Sequence, residues 1–343
     1  MSLNKWITYI VEGPSVDSVS KARGDVAEIA EEIGYRKLFI YRYIDEQESQ
    51  QSLLSRIDGI TAGVAAGDLI VYQYPSYNQF IFEKTFIERL KQRGVRIALL
   101  IHDSELLRDN GFLKEIELFN QADMLITHGE QMELKLKSFG VTTAMVSKEL
   151  FDYRIPDEQG STEPALTKSL VFAGNVQKSV FLKAWDYQTN IQIFGAKGEF
   201  KLGGNVEYMG VYAQYDLLRR IPKNCFGIAW DNDLPQGGKY REYTRYNAPH
   251  KISLYLALGM PVIVWQNAAI SELILHYKLG YVIESLDEVD SLMERITKEE
   301  LMHLKQRVNK FSYLLREGIF TKQALIKVEQ VILLKEMETA NDS

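Results

Sequence analysis

Short apolar runs alternate with amphipathic stretches along this chain, and that alternation restricts the fold more than any other feature. KLFIYRY, DLIVYQY, RIALLIHD and DMLITH, starting at Lys37, Asp68, Arg96 and Asp123, are separated by helical periods such as FIFEKTFIERLKQRG from Phe80. Strands that are nearly apolar throughout have both faces covered, and strands joined through helices run parallel. The expected class is therefore α/β, with helices on both faces of parallel sheets. Lys5–Val11 reads as the first strand. The loop EGPSVDSVSKARGD follows it, with Asp25 as the cap of a helix VAEIAEEI that stops at Gly34. Between Phe151 and Lys168 the periodicity lapses into YRIPDEQGSTEPALTK, a linker composition, and it restarts at Ser169 with SLVFAGN. A chain of 343 residues exceeds the size at which one core keeps growing. We therefore expect a domain over 1–155, a linker over 156–168 and a second domain over 169–317.

Several function classes are disfavoured at this level. The net charge of −6 offers no basic field for nucleic acid or for an anionic membrane. The one cysteine, Cys225, sits in the apolar run CFGIAW and reads as a buried, inert thiol. No stretch has signal-peptide or membrane-spanning character, which leads us to expect a cytoplasmic protein. No G-x-G-x-x-G follows a strand, so a nicotinamide or flavin cofactor is not indicated, and none is expected. Asp231, Asn232 and Asp233 form a D-x-D that would suit a divalent ion, but Leu234, Pro235 and two glycines follow; we read a turn and no metal. Gly237–Asn247 reads as a long Tyr- and Arg-rich loop.

Function at a parallel sheet belongs at the C-terminal strand ends. In the first half these ends carry Glu12, Tyr74, His102, Asp103 and His128. His102 and Asp103 are candidate general bases. As strand neighbours they point to opposite faces, and each also has a structural reading, a satisfied imidazole or a helix cap. In the second half, YNAPHKISLYLALGMPVIVWQNAAISELI from Tyr246 reads as loop, helix, strand, helix. Pro249 suits the first helical position, which puts Lys251 in the first turn. A cation there opposes the helix dipole unless an anion sits in front of it. With Lys178, which follows the strand SLVFAGN, it makes either a diphosphate cradle or two solvated lysines. Backbone amides near Ile252, Ser253 and Ala268 would complete the cradle.

The wording P-H-K followed by L-A-x-G-x-P-V-I-V resembles the donor half of GT-B glycosyltransferases, built from two Rossmann-like domains with a deep interdomain cleft. It is similar to bacterial galactofuranosyltransferase-like proteins and to the third glucosyltransferase of streptococcal serine-rich-repeat adhesin glycosylation. The second likeness extends through SKARGDVAEIAEEIGYRKL, RIDGITAG, IHD, FAGN, CFGIAW and REGIFTKQAL. It implies a UDP-sugar donor, a glycosylated protein or oligosaccharide acceptor, and a homodimer or homotetramer. It also implies a nucleotide site with a hydroxyl at Ser18, a basic residue at Lys178, a base contact at Val211 or Tyr212, and the Pro249, His250, Lys251, Ile252, Ser253, Leu254 helix start. A final helix over 318–343 would pack on the first domain. Retaining enzymes of the largest family with this architecture carry a glutamate pair before the motif; Asn247 and Leu254 stand there, which favours inversion. Glucose transfer to N-acetylglucosamine on serine or threonine is the leading expectation, with Lys251, His102 and Asp103 as catalytic residues. Galactofuranose transfer, a non-catalytic partner subunit and a sugar-nucleotide epimerase are the competing readings.

Overall fold

The computed structural model describes residues 3–11, 18–109, 111–156, 165–197, 201–231 and 238–341. The chain divides into two compact units, Met1–Ser15 with Val19–Glu149 and Phe320–Ser343, and Val16–Ser18 with Leu150–Ile319. Residues 157–164 of the expected linker lie outside the described residues.

In the first unit, β1 (Lys5–Val11), β2 (Arg36–Tyr41), β3 (Leu69–Tyr74), β4 (Arg96–Ile101), β5 (Met124–Thr127) and β6 (Met145–Ser147) form one sheet in the order β2-β1-β3-β4-β5-β6. All its pairings are parallel. Between the strands run α1 (Ser18–Glu32), α2 (Gln50–Ile60), α3 (Phe80–Gln92), α4 (Glu105–Asp109), α5 (Lys114–Gln121) and α6 (Glu130–Ser138). Every residue of β3 and β5 is buried, as an apolar central strand requires. The edge strand β2 departs from that expectation: Phe39 and Tyr41 are exposed.

Asp25 does not begin a helix. It lies in the middle of α1, buried and ion-paired with Lys21 one turn earlier. Gly24 costs that helix about 1 kcal/mol relative to alanine, and the wholly buried neighbour Arg23 offsets it with tertiary contacts described below.

The second unit repeats the principle in another order. Strands β7 (Leu170–Ala173), β8 (Ile191–Phe194), β9 (Val206–Gly210), β10 (Phe226–Ala229), β11 (Val262–Trp265) and β12 (Gly280–Ile283) run parallel in the order β12-β11-β10-β7-β8-β9. Their helices are α7 (Gln214–Arg220), α8 (Lys239–Thr244), α9 (His250–Ala257), α10 (Ser271–Tyr277), α11 (Val289–Arg295) and α12 (Lys298–Arg316). The terminal helix α13 (Ile319–Asn341) belongs from Phe320 onward to the first unit, where Glu329 pairs with Lys5 at 3.0 Å and Lys322 with Glu32 at 2.8 Å. Among the described residues no helix is long and apolar enough to cross a membrane.

Each order has one point where successive connections leave in opposite directions, between β1 and β3 in the first unit and between β7 and β10 in the second. The loops splay apart there and leave a crevice at the C-terminal strand ends.

Candidate functional site

Helix α9 is placed by one contact with the second sheet. A Cβ on Gly227 of β10 would stand 2.2 Å from the ring of Tyr255, so only glycine lets that ring lie against the strand. The Tyr255 hydroxyl then accepts from Ala173 N of β7 at 2.7 Å. The helix is thus pinned across the β7–β10 reversal. Lys251 lies one turn before Tyr255 and shares its face. Its Nζ is 4.8 Å from the centre of the Phe172 ring and 3.9 Å from where a Cβ on Gly174 would be. Phe172 and Gly174 are alternate residues of one strand and its exit, so the ammonium stands at the reversal point, held over an aromatic face.

The adjoining loops are closely packed. A Cβ on Gly195, at φ +137°, would fall 1.8 Å from the carbonyl oxygen of Gly174. Backbone bonds from Gly174 N to Phe194 O and from Gly195 N to Gly210 O, both 2.9 Å, tie the exits of β7, β8 and β9 together. Glycine surfaces of this kind let a ligand's phosphate approach main chain.

Several expectations shift in this region. Pro249 is extended at ψ 131° and serves as N-cap rather than as first helical residue, which makes Lys251 the second. Ile252 and Leu254 bury their side chains in the core, and Ile252 N donates to Pro249 O at 2.9 Å. Ser253 is also buried, and its Oγ has no hydrogen-bond partner among the described residues. His250 stacks on Tyr153 at 4.9 Å. The helix expected near Ala268 starts at Ser271, and the Ala268 amide closes a turn onto Trp265 O at 3.0 Å, so neither it nor Ile252 N is an open donor. The Tyr212 hydroxyl donates to Met209 O at 2.6 Å, whereas Val211 is 52% exposed. A base could therefore meet Val211 but not a free tyrosine hydroxyl. The side chains of Ser18, the first residue of α1, and Lys178, in the helical turn Val176–Lys178, lie outside the described residues.

The stretch read as one long loop contains α8. Thr244 Oγ1 donates to Asp231 at 2.9 Å, Ala269 N donates to Thr244 O at 3.0 Å, and the Arg241 and Arg245 guanidiniums face the Trp265 ring at 5.4 and 5.2 Å. Two more cations thereby stand near the ends of β10 and β11. Asn232 and Asp233 of the D-x-D lie outside the described residues, as does Glu12. Cys225 is buried, donates to Pro222 O, and has its thiol pushed up to about 12 by desolvation, which suits an inert side chain.

At the first sheet the reversal point is bridged by side chains. Gln73 N of β3 donates to Thr8 Oγ1 of β1 at 2.8 Å, and the Gln73 amide nitrogen donates to the carbonyls of Thr8 and Arg23 at 2.6 and 3.2 Å. Its oxygen is left to accept, and it faces His102 Nε2 at 2.8 Å. Nε2 therefore carries the proton, and Nδ1 is the basic atom of the neutral ring. Asp103 caps Ser104 N at 3.1 Å and is ion-paired with Arg108. His128 is buried against Ile101 O at 2.8 Å, and desolvation holds it neutral, down to about 4.

Two buried carboxylates organise the loops after β3 and β4. Glu83 accepts from Ser76 N at 2.7 Å, from Ser76 Oγ at 2.8 Å and from the Tyr72 hydroxyl. Glu115 accepts from Tyr74 OH at 2.8 Å, Ser104 Oγ at 2.6 Å, Leu106 N at 2.9 Å and Glu105 N at 3.2 Å. Burial pushes both carboxyls up, and these donors oppose that shift.

Both units match models of one family, the N-terminal domain of glucosyltransferase 3-like proteins over residues 4–150 and its C-terminal domain over 170–328. Glucosyltransferase 3 of Streptococcus gordonii is 34% identical over 97% of this chain and the whole of the relative. The chain belongs to the glucosyltransferase 3-like family. This glucosyltransferase 3-like chain is also 26% identical to the β-1,6-galactofuranosyltransferase WbbI of Escherichia coli K12, over 91% of its own length and 94% of the relative's. Among solved structures it shares its fold with an α-glucosyltransferase in complex with UDP and DNA, at a TM-score of 0.63, 12% identity and coverage of 97% and 100%. Anabaena HepE in complex with UDP and glucose matches at 0.60, with 10% identity and coverage of 94% and 99%. The family is one of glycosyltransferases, and the two parallel sheets are the GT-B architecture.

Proposed function

We propose that this glycosyltransferase uses a UDP-sugar and transfers glucose to N-acetylglucosamine carried on serine or threonine of a serine-rich-repeat glycoprotein. The observation that carries the reading is Lys251 Nζ standing beside Gly174 at the reversal point of the second sheet. A diphosphate leaving group gains charge as the glycosidic bond breaks, and a fixed ammonium stabilises that charge more in the transition state than before it. Lys178, three residues after the strand's last glycine-asparagine pair, supplies a second cation, and exposed Val211 an apolar face for the base. Leaving-group charge is then met by protein groups, and no metal ion is required. His102, with Nε2–H fixed by Gln73, accepts the acceptor's proton through Nδ1, and the outcome is inversion. Asp103, already paired with Arg108, is the weaker base. We place the enzyme in the cytoplasm as a homo-oligomer.

The galactofuranosyltransferase relative supports a second reading, with UDP-galactofuranose as donor and a polysaccharide as acceptor. A panel of UDP-sugars, incubated with and without a peptide bearing N-acetylglucosamine, separates the two by UDP release. Release from UDP-glucose that depends on the peptide and survives EDTA is expected, with an inverted anomeric signal in the product by NMR. Release confined to UDP-galactofuranose favours the second reading, and no release from any nucleotide sugar rejects both.

A further inference from the structure

The loops after β3 and β4 enclose a cavity of about 320 Å³, wholly within the first unit. Four aromatic side chains line it, Tyr74, Tyr77, Phe80 and Phe112, the last two edge to face at 5.2 Å. Arg42, Gln79 and Asp103 add polar groups. The volume lies at the lower end of the 300–1,000 Å³ found for small-molecule sites, room for one or two rings and not for a polymer.

The loop that presents Tyr77 is held in an unfavourable conformation. Tyr77 and Gln79 have φ values of 60° and 73°, a left-handed region in which non-glycine residues are costly. Such conformations persist when the surroundings over-determine them, and they gather at ligand sites. Here Glu83 grips Ser76, the Asn78 side chain accepts from Tyr43 N at 2.7 Å, and the buried Arg23 guanidinium stacks on the Tyr77 ring at 4.6 Å. Glu83 and Glu115 are occupied with this clamping, so their role is to position the wall rather than to touch a ligand.

The charge decides against a nucleotide. Asp103 and Glu105 line the cavity with Arg42 as the one cation of the lining, which disfavours a diphosphate. A pyranose fits: its C–H face stacks on aromatic rings, and its hydroxyls satisfy a carboxylate, an amide and a guanidinium at once. We propose that this cavity binds one pyranose ring of the acceptor, with Phe80, Phe112 and Tyr77 as its platform and Asp103, Gln79 and Arg42 as its hydroxyl partners. The acceptor role rests on the transferase reading above; the sugar site itself does not.

Two measurements keep those apart. Saturation-transfer NMR with methyl N-acetylglucosaminide, without donor, is expected to give ring-proton signals with the wild type that fall at least threefold in Phe112→Leu, which keeps apolar bulk and removes the aromatic face. In turnover assays Phe112→Leu and Phe80→Leu are expected to raise the acceptor KM about tenfold, with the UDP-sugar KM within a factor of two. Glycoside binding that is lost in Phe112→Leu while no UDP-sugar turns over supports the sugar site and rejects the transferase reading. Wild-type signals that persist in both variants, an unchanged acceptor KM, or no glycoside binding by the wild type overturns the proposal. Thermal melts of both leucine variants within a few degrees of wild type are the folding control, and loss of fold in one leaves the other to decide.

Discussion

At the C-terminal end of the first sheet, Glu83 and Glu115 are buried and every carboxylate oxygen accepts hydrogen bonds from the surrounding loops. At the same end of the second sheet, Lys251 is half-buried over Phe172, and glycines at 174 and 195 bring main chain to the surface. Both sheets are parallel with one reversal point, and the polar chemistry is opposite. A saturated carboxylate network makes a rigid wall with a fixed shape, which suits recognition of a neutral ring. A cation beside bare backbone makes a place where charge can arrive, which suits a phosphate. The comparison sets a wall of fixed shape against a site open to charge in one chain.

The sharpest way to break this contrast is to remove the cation. Lys251→Ala is expected to lower UDP release on the order of 10³-fold, the scale of losing one transition-state charge partner, with a melting temperature close to wild type. Unchanged turnover would end the diphosphate assignment. On the other side, Glu115→Ala leaves several buried donors unpaired and should cost about 3 kcal/mol of stability, read by urea denaturation with donor KM retained in the folded fraction. His102→Asn should reduce acceptor-dependent turnover about 10²-fold, read as kcat at saturating acceptor. A loss confined to acceptor KM would reassign His102 to binding.

Smaller effects sharpen the picture. Gly227→Ala forces a methyl against the Tyr255 ring and should cost about 2 kcal/mol, and it should also weaken UDP binding by calorimetry because Lys251 rides on the same helix. His128 tests the electrostatics of the first unit. Its folded value near 4 is below the unfolded 6.5, so the unfolded chain binds more protons between those values, and stability falls as pH drops through that window. At pH 5.5 the loss is on the order of 1 kcal/mol, and His128→Gln should remove it. The facing groups are Asp103, which opposes the shift, and Lys148, which adds to it. Glu83 and Glu115, raised by burial, slope the other way: their contribution is fullest at acid pH and declines as pH rises through their folded values. An acid limb identical in wild type and His128→Gln contradicts the burial of this imidazole.

Much of the fold was readable because it depends on local pattern. Apolar runs of strand length between amphipathic stretches specify parallel β–α units whatever lies around them. The same regularity put Tyr74, His102 and His128 at strand ends. Local pattern misjudged places where distant contacts override it. Asp25 looks like a cap, yet α1 continues through it because Arg23 is anchored under the loop at Pro75 and Tyr77. The Ala268 amide looks open, but a turn onto Trp265 consumes it, and Tyr212 looks available although its hydroxyl is committed to Met209.

What the sequence by itself determined was the kind of sheet and a lysine in the first turn of a helix. Tertiary structure alone decided which atoms meet. Gln73 and His102 are 29 residues apart, Tyr74 and Glu115 41, and Ala173 and Tyr255 82. The physical reason is that strand order is not chain order: β3 inserts beside β1 and β10 beside β7, so the reversal points gather side chains whose spacing along the chain carries no signal. A hydrogen bond's partner is set by that juxtaposition, and the basic nitrogen of His102 is known only because Gln73 had already committed its donors elsewhere.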